Sequence, residues 1–363
     1  MTLDHLSDWP SHGNRVAPLL ARFGLPADHA VIDFSANLNP LGPPPWLGDW
    51  LAGASEMLAR YPDPDDDRSR QAIAADDDVP PECVLVTNGG IEAIYLAAAL
   101  HAGGRALVVE PTFSEYARAC HHHGLVVERL ALPESAFQLD VDAVESAMGS
   151  VDIVFLCRPN NPTGTLLPRT DVERLLARAG EAGSLLVIDE AFVDFTEDDE
   201  RLTSLLASSP QLLLLRSLTK RYDVPGLRLG YLLGAPELVV RLAALQMPWS
   251  VNALARSLVA PLLADKDYLD RTREWLAAER GLPEAVRALG YRVPATQANF
   301  LLMWGGGDAE DAEALFGFLL ERGLLARHTH NFPGLDGAWL RLALRNASAN
   351  ARLLEALSAW KRP

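Results

Sequence analysis

Between Cys83 and Tyr231, short uninterrupted apolar runs alternate with stretches of helical spacing. Val84 to Thr87 precedes a predicted helix near Glu92 to His101, and Ala106 to Val109 precedes one near Ser114 to His123. Val151 to Leu156, Leu185 to Ile188 and Leu212 to Leu215 read as buried strands, with a further helix at Asp171 to Ala182. Strands apolar on both faces and separated by helices make a largely parallel sheet covered on both sides. Ligands of such sheets bind beyond the carboxyl ends of the strands. Five loops fall there: Asn88-Gly89-Gly90, Pro111-Thr112-Phe113, Arg158 to Gly164, Asp189-Glu190-Ala191-Phe192 and Ser217 to Lys220.

After Pro236 the pattern changes to amphipathic helices near Leu238 to Leu245, Asn252 to Leu263 and Tyr268 to Leu289, with Pro248 breaking the first from the second. Strand-like pieces follow at Asn299 to Met303, Leu324 to Arg327 and Trp339 to Leu344, then a last helix near Ala349 to Trp360. The expected organisation is an N-terminal arm over residues 1–45 packing with the small domain, a large α/β domain over 46–245 and a smaller α/β domain over 246–363. The acidic segment Asp63 to Asp78 lacks the turn glycine and closing glutamate of a calcium loop and reads as solvated surface.

Composition narrows the partners. A net charge of -16 over 363 residues argues against nucleic acid or an anionic membrane, and an anionic substrate needs local arginines to overcome the global field. No apolar run approaches the ~20 residues of a membrane span. Met1 to Pro10 resembles neither a signal peptide nor a transit sequence. Cys83, Cys120 and Cys157 are odd in number and widely spaced, which suits reduced thiols in a cytoplasm. Three consecutive histidines, His121 to His123, point about 100° apart on a helix and cannot face one ion, so no metal is expected.

Three lysines stand against 29 arginines. Lys266 sits between two aspartates at a helix end and Lys361 is third from the C-terminus, which singles out Lys220. Arginine cannot replace lysine where an amine must lose its proton and attack a carbonyl. Ser217 lies three residues before Lys220 and Arg228 eight after. That combination suits a phosphorylated aldehyde: an amine for the aldehyde, a hydroxyl and a guanidinium for the phosphate. Gly89-Gly90-Ile91 lies between a strand and a helix N-terminus, a natural anion cradle. Asp189 at a strand tip can hold a pyridine nitrogen protonated, Asn161 can bond a phenolic oxygen, and Phe113 can stack on a ring face.

These motifs resemble the aspartate-aminotransferase superfamily, fold type I of the pyridoxal-phosphate enzymes. The resemblance implies pyridoxal 5'-phosphate as cofactor, with Lys220 as its Schiff-base lysine and Asp189 on the pyridinium. It places Asn161 on the ring oxygen and Phe113 on the ring face, with Ser217, Arg228 and the Gly89, Gly90 and Ile91 turn on the phosphate. Tyr61, in Arg60-Tyr61-Pro62-Asp63, resembles the tyrosine that reaches the phosphate of a neighbouring subunit, implying a homodimer with shared sites. Asp33 to Gly42, Gln246 to Asn252 and Asn331 to Leu335 carry a closer likeness to the threonine-phosphate decarboxylases of cobalamin biosynthesis. Histidinol-phosphate aminotransferases are the nearest competitor. Phe192 stands where the aminotransferases usually place a tyrosine.

The reaction so implied is decarboxylation of O-phospho-L-threonine to (R)-1-amino-2-propanol O-phosphate in the cytoplasm. A histidinol-phosphate-type transamination is the alternative, and a non-catalytic relative of the fold a further one. His12, Asn37, Arg327 and Arg341 resemble the substrate-binding set, and the residues leave open which arginine takes phosphate and which carboxylate. The arm departs from the usual His-Gly-Gly by carrying Asn14, which tolerates positive φ. Ile91 replaces a polar residue in the phosphate turn and removes a side-chain donor.

Overall fold

The computed structural model describes residues 9–62 and 67–361. The large sheet has seven strands in the order Val84–Thr87, Gly230–Gly234, Leu212–Ser217, Leu185–Asp189, Ile153–Cys157, Arg105–Glu110 and Val126–Ala131. Gly230–Gly234 alone runs against its two neighbours. The direction therefore reverses twice, and Val84–Thr87 points the same way as the five parallel strands. Its carboxyl end reaches the same edge as Cys157, Asp189 and Ser217. Leu212 to Leu215 are at most 1% exposed; each such leucine contributes about 1.5–3 kcal/mol by burial. Helices Gly89–Ala99 and Arg169–Ala182 cover opposite faces of the sheet, packing in separate core clusters.

A second sheet of Phe300–Trp304, Trp339–Ala343 and Arg327–His328 is antiparallel. Ile32–Asp33 pairs in parallel with Leu324–Leu325, joining the N-terminal arm to this region. Side-chain caps set several helix starts: Asn252 for Ala253–Ala264, Asp265 for Lys266–Glu279 and Asn346 for Ala347–Trp360.

Some expectations need correction. The single helix expected from Tyr268 to Leu289 is two helices, Lys266–Glu279 and Leu282–Ala288, parted where Gly281 and Pro283 favour a new start. The strand expected over Leu324 to Arg327 is likewise two short strands, because Leu324–Leu325 pairs with the arm while Arg327–His328 pairs with Trp339–Ala343. The acidic segment is not all solvated. Residues 63–66 lie outside the described ones, but Asp76 and Asp77 close helix Asp67–Asp77 with buried carboxylates, Asp77 meeting Tyr231 Oη at 2.7 Å. Helix Ala253–Ala264, expected to belong to the small domain, contributes Ala255, Leu258, Val259 and Leu262 to the core of the large sheet. No helix among the described residues is long and apolar enough to cross a membrane.

Candidate active site

The carboxyl edge of the large sheet forms one wall of a cavity of about 310 Å³. Gly90, Ile91, Phe113, Asn161, Asp189, Ser217, Lys220 and Arg228 line it from the large sheet; His12, Asn37, Arg327 and Arg341 line it from the arm and the small sheet. Gly89 lies directly against Arg228. Tyr61 is elsewhere, 81% exposed and against Trp249 with ring centroids 4.9 Å apart.

Asp189 ends its strand opposite Cys157 and is held from two sides. Ala191 N donates to Oδ1 at 2.9 Å and Tyr116 Oη to Oδ2 at 2.7 Å. Burial raises the carboxyl's pKa, while Tyr116, the Ala191 amide and Lys220 act against that rise. The sequence reading missed Tyr116. Its one available signal was place: it follows Phe113 by three residues, in the first turn of the helix that opens at this strand end. Asn160, also missed, ties two loops together by accepting from Thr112 Oγ1 at 3.0 Å and donating to Pro111 O at 3.0 Å. That fixes the turn on which Asn161 stands.

Lys220 sits in the single turn Leu218–Arg221 after its strand. Asn39 N donates to Lys220 O at 3.3 Å, and Asn39 Nδ2 to Arg221 O at 3.0 Å, so the arm braces the lysine's backbone. Burial, then the guanidinium groups of Arg341 and Arg228, push the ammonium pKa down to about 8; Asp189 and Asp223 pull the other way. At neutral pH roughly a tenth of the amine is unprotonated, against well under a thousandth for an ordinary lysine.

The turn Asn88-Gly89-Gly90 fits a phosphate. Gly89 has φ +73°, and a Cβ there would lie 2.7 Å from Arg228 Nη2. A Cβ on Gly230 would lie 2.8 Å from both Gly89 C and Gly90 N, so only glycine lets that strand pass beneath the turn. Glu92 secures the turn, accepting from Asn88 N at 2.6 Å, Gln246 Nε2 at 3.0 Å and Ser250 Oγ at 3.2 Å. Ser217 Oγ touches Thr219 Oγ1, adding a second buried hydroxyl beside the turn. Asn14 takes the positive φ of 57° that its position requires.

Arg327 and Arg341 are 3% and 6% exposed, and neither forms an ion pair among the described residues. Arg327 donates to Ser11 O at 2.7 Å and Asn331 Oδ1 at 2.5 Å. Arg341 donates to Ser35 O at 2.7 Å and to Asn161 Oδ1, which leaves the Asn161 amide nitrogen as its donor end. Burial lowers their pKa values to about 10 and about 9, so both stay charged at neutral pH. Both side-chain polar atoms of buried Asn37, and Arg341 Nε, lack hydrogen-bond partners among the described residues. A cavity with buried guanidinium groups outside any ion pair and with unpaired donors is built to receive anions.

Residues 29–357 match the family model of aminotransferase class I and II. The chain belongs to this family. Its fold and its pyridoxal-phosphate cofactor are those of the family. Threonine-phosphate decarboxylase of Salmonella typhimurium is 36% identical over 351 residues, covering 96% of this chain and 95% of the relative. The structure of L-threonine-O-3-phosphate decarboxylase from Porphyromonas gingivalis superposes with a TM-score of 0.79 at 29% identity, covering 90% of this chain and 98% of the other. That of the histidinol-phosphate aminotransferase from Clostridium acetobutylicum gives 0.84 at 29% identity, with the same coverage of 90% and 98%.

Proposed function

We propose that the protein removes carbon dioxide from O-phospho-L-threonine, leaving (R)-1-amino-2-propanol O-phosphate, as a step of cobalamin biosynthesis. The observation that supports this reading is the pair of buried arginines that form no ion pair among the described residues, in the cavity of Lys220. Such a pocket asks for a substrate with two anionic groups, here a carboxylate and a phosphate.

Pyridoxal 5'-phosphate, when bound, supplies an electron sink for a bond broken at the substrate's α-carbon. Arg228, Ser217 and the amides after Gly89 would hold its phosphate, and Asp189, kept in place by Tyr116, would pair with its ring nitrogen. Asn161 would donate to its ring oxygen. Arg341 and Arg327 would hold the two anionic ends of the substrate and so fix the orientation in which its carboxylate leaves as carbon dioxide. Lys220, as ammonium, then delivers a proton to the α-carbon. Phe192, 5% exposed and packed on Phe300, offers no hydroxyl where a transaminase places one, which favours decarboxylation.

Tyr61 and Trp249 present an exposed aromatic pair away from the chain's own cavity. We read this surface as the face of a homodimer in which Tyr61 serves the neighbouring site. For the reaction, purified enzyme with phosphothreonine should release carbon dioxide without any 2-oxo acid. A strict requirement for 2-oxoglutarate would sink the decarboxylase reading in favour of transamination.

A further inference from the structure

The segment Ser11 to Asn14 crosses the mouth of the cavity. Arg327 Nη2 and Asn331 Nδ2 donate to Ser11 O at 2.7 and 2.9 Å, tying it to the small sheet. Asn14 N donates to Ser35 Oγ at 2.8 Å, and a Cβ on Gly13 would lie 2.4 Å from Ser35 O, so the segment is pressed flat there. Toward the large domain it reaches through His12, whose Nε2 stands 3.4 Å from Glu115 Oε1. Glu115 is the first residue of helix Glu115–His122, just after Phe113 and Ser114 at the cavity wall.

The Glu115 side chain is only 6% exposed, whereas that of His12 is 45% exposed. A buried carboxylate near an anion site would repel the anion if it stood alone. Here it has His12 in front of it and Arg118 at 3.3 Å beside it. The hydrogen bond to His12 is the leading cause of its lowered pKa. With Nε2 turned to the carboxylate, Nδ1 is the ring edge left for the cavity.

We propose that Glu115 is a positioning residue for the substrate's phosphoryl group, holding His12 and with it the arm across the cavity mouth. This rests on the reading of a phosphorylated substrate. Glu115 touches neither substrate nor cofactor; it acts through the His12 ring, which as imidazolium gives Nε2–H to Glu115 and Nδ1–H to a phosphoryl oxygen. An amine without phosphate gains nothing from the contact.

Spectral titration of the holoenzyme with O-phospho-L-threonine and with L-threonine reads the affinity for each. Glu115→Gln should weaken phosphothreonine about tenfold, the scale of one charge-assisted contact, and leave L-threonine unchanged. His12→Gln should do the same, and the double variant should be no worse than either single one. Equal weakening of both ligands would reduce Glu115 to a helix-start residue, and no weakening of either would overturn the proposal. If Glu115→Gln does not fold, His12→Gln decides: an unchanged preference for the phosphorylated ligand defeats the idea. Wild-type enzyme that releases no carbon dioxide sinks the decarboxylase reading alone. Glu115 is then judged on histidinol phosphate against histidinol, by the same difference.

Discussion

Arg158, Arg216 and Arg221 are as deeply buried as Arg327 and Arg341, yet they live by opposite rules. Behind the sheet edge, Arg158 meets Glu200 at 2.5 Å, Arg216 meets Glu190 at 2.9 Å and Arg221 meets Asp76 at 3.0 Å. The Arg216 contact is charge pairing rather than an aligned hydrogen bond, since its nitrogens lack hydrogen-bond partners among the described residues. Glu190 is nevertheless pushed up to about 7, burial outweighing two guanidinium neighbours. In the cavity, the acceptors of Arg327 and Arg341 among the described residues are neutral. One set is neutralised by the fold and serves structure. The other waits for its counter-charge, and that difference separates a scaffold from a binding site.

The largest test removes a waiting cation. Arg341→Met should lower kcat/KM for phosphothreonine about 1000-fold, roughly 4 kcal/mol, with a thermal midpoint unchanged or raised because an uncompensated charge leaves the interior. Steady-state kinetics and thermal unfolding check it, and a lower midpoint with activity retained would break the comparison. The converse is Arg216→Met, which leaves Glu190 to Arg158 and Asp77 to Arg201 and Tyr231; denaturant unfolding should show a loss of about 3 kcal/mol, the low end for breaking a buried pair.

A smaller effect follows from the lysine. Burial and neighbouring cations depress its pKa, so the free amine appears at lower pH than for an ordinary lysine. Cofactor capture by cofactor-free protein should quicken about tenfold per pH unit and level off above about 8. In Arg341→Met one depressing charge is gone, and the break should move to higher pH. The smallest change is Tyr116→Phe. Asp189 loses one donor, and turnover should fall by about 3–10-fold, measured as kcat, with little change in KM.

Much of this arrangement was visible in the order of residues. The strands around Leu185 and Leu212 and the loops at their ends follow from local pattern, and scarcity alone pointed to Lys220. Contacts that join distant segments were not visible. Tyr116 reaches Asp189 across 73 positions, and Glu115 meets an arm residue 103 positions earlier, so neither leaves a periodic trace. Asp77 read as solvated because its partner Arg216 lies on a strand far along the chain. Helix Ala253–Ala264 is amphipathic, which announces a buried face without naming the sheet it covers.

The arm also bears on how the chain can be shortened. Ile32 and Asp33 supply the parallel partner of Leu324 and Leu325, and Asn39 holds the carbonyl of Lys220. A truncation beginning after Asn39 therefore takes away a support of the reactive lysine as well as a lid. One beginning at Ile32 keeps that support but loses His12, and should still colour with cofactor while binding phosphorylated substrate poorly. Deletion series thus divide the arm into two parts, one that braces the reactive lysine and carries Asn37, and one that brings His12.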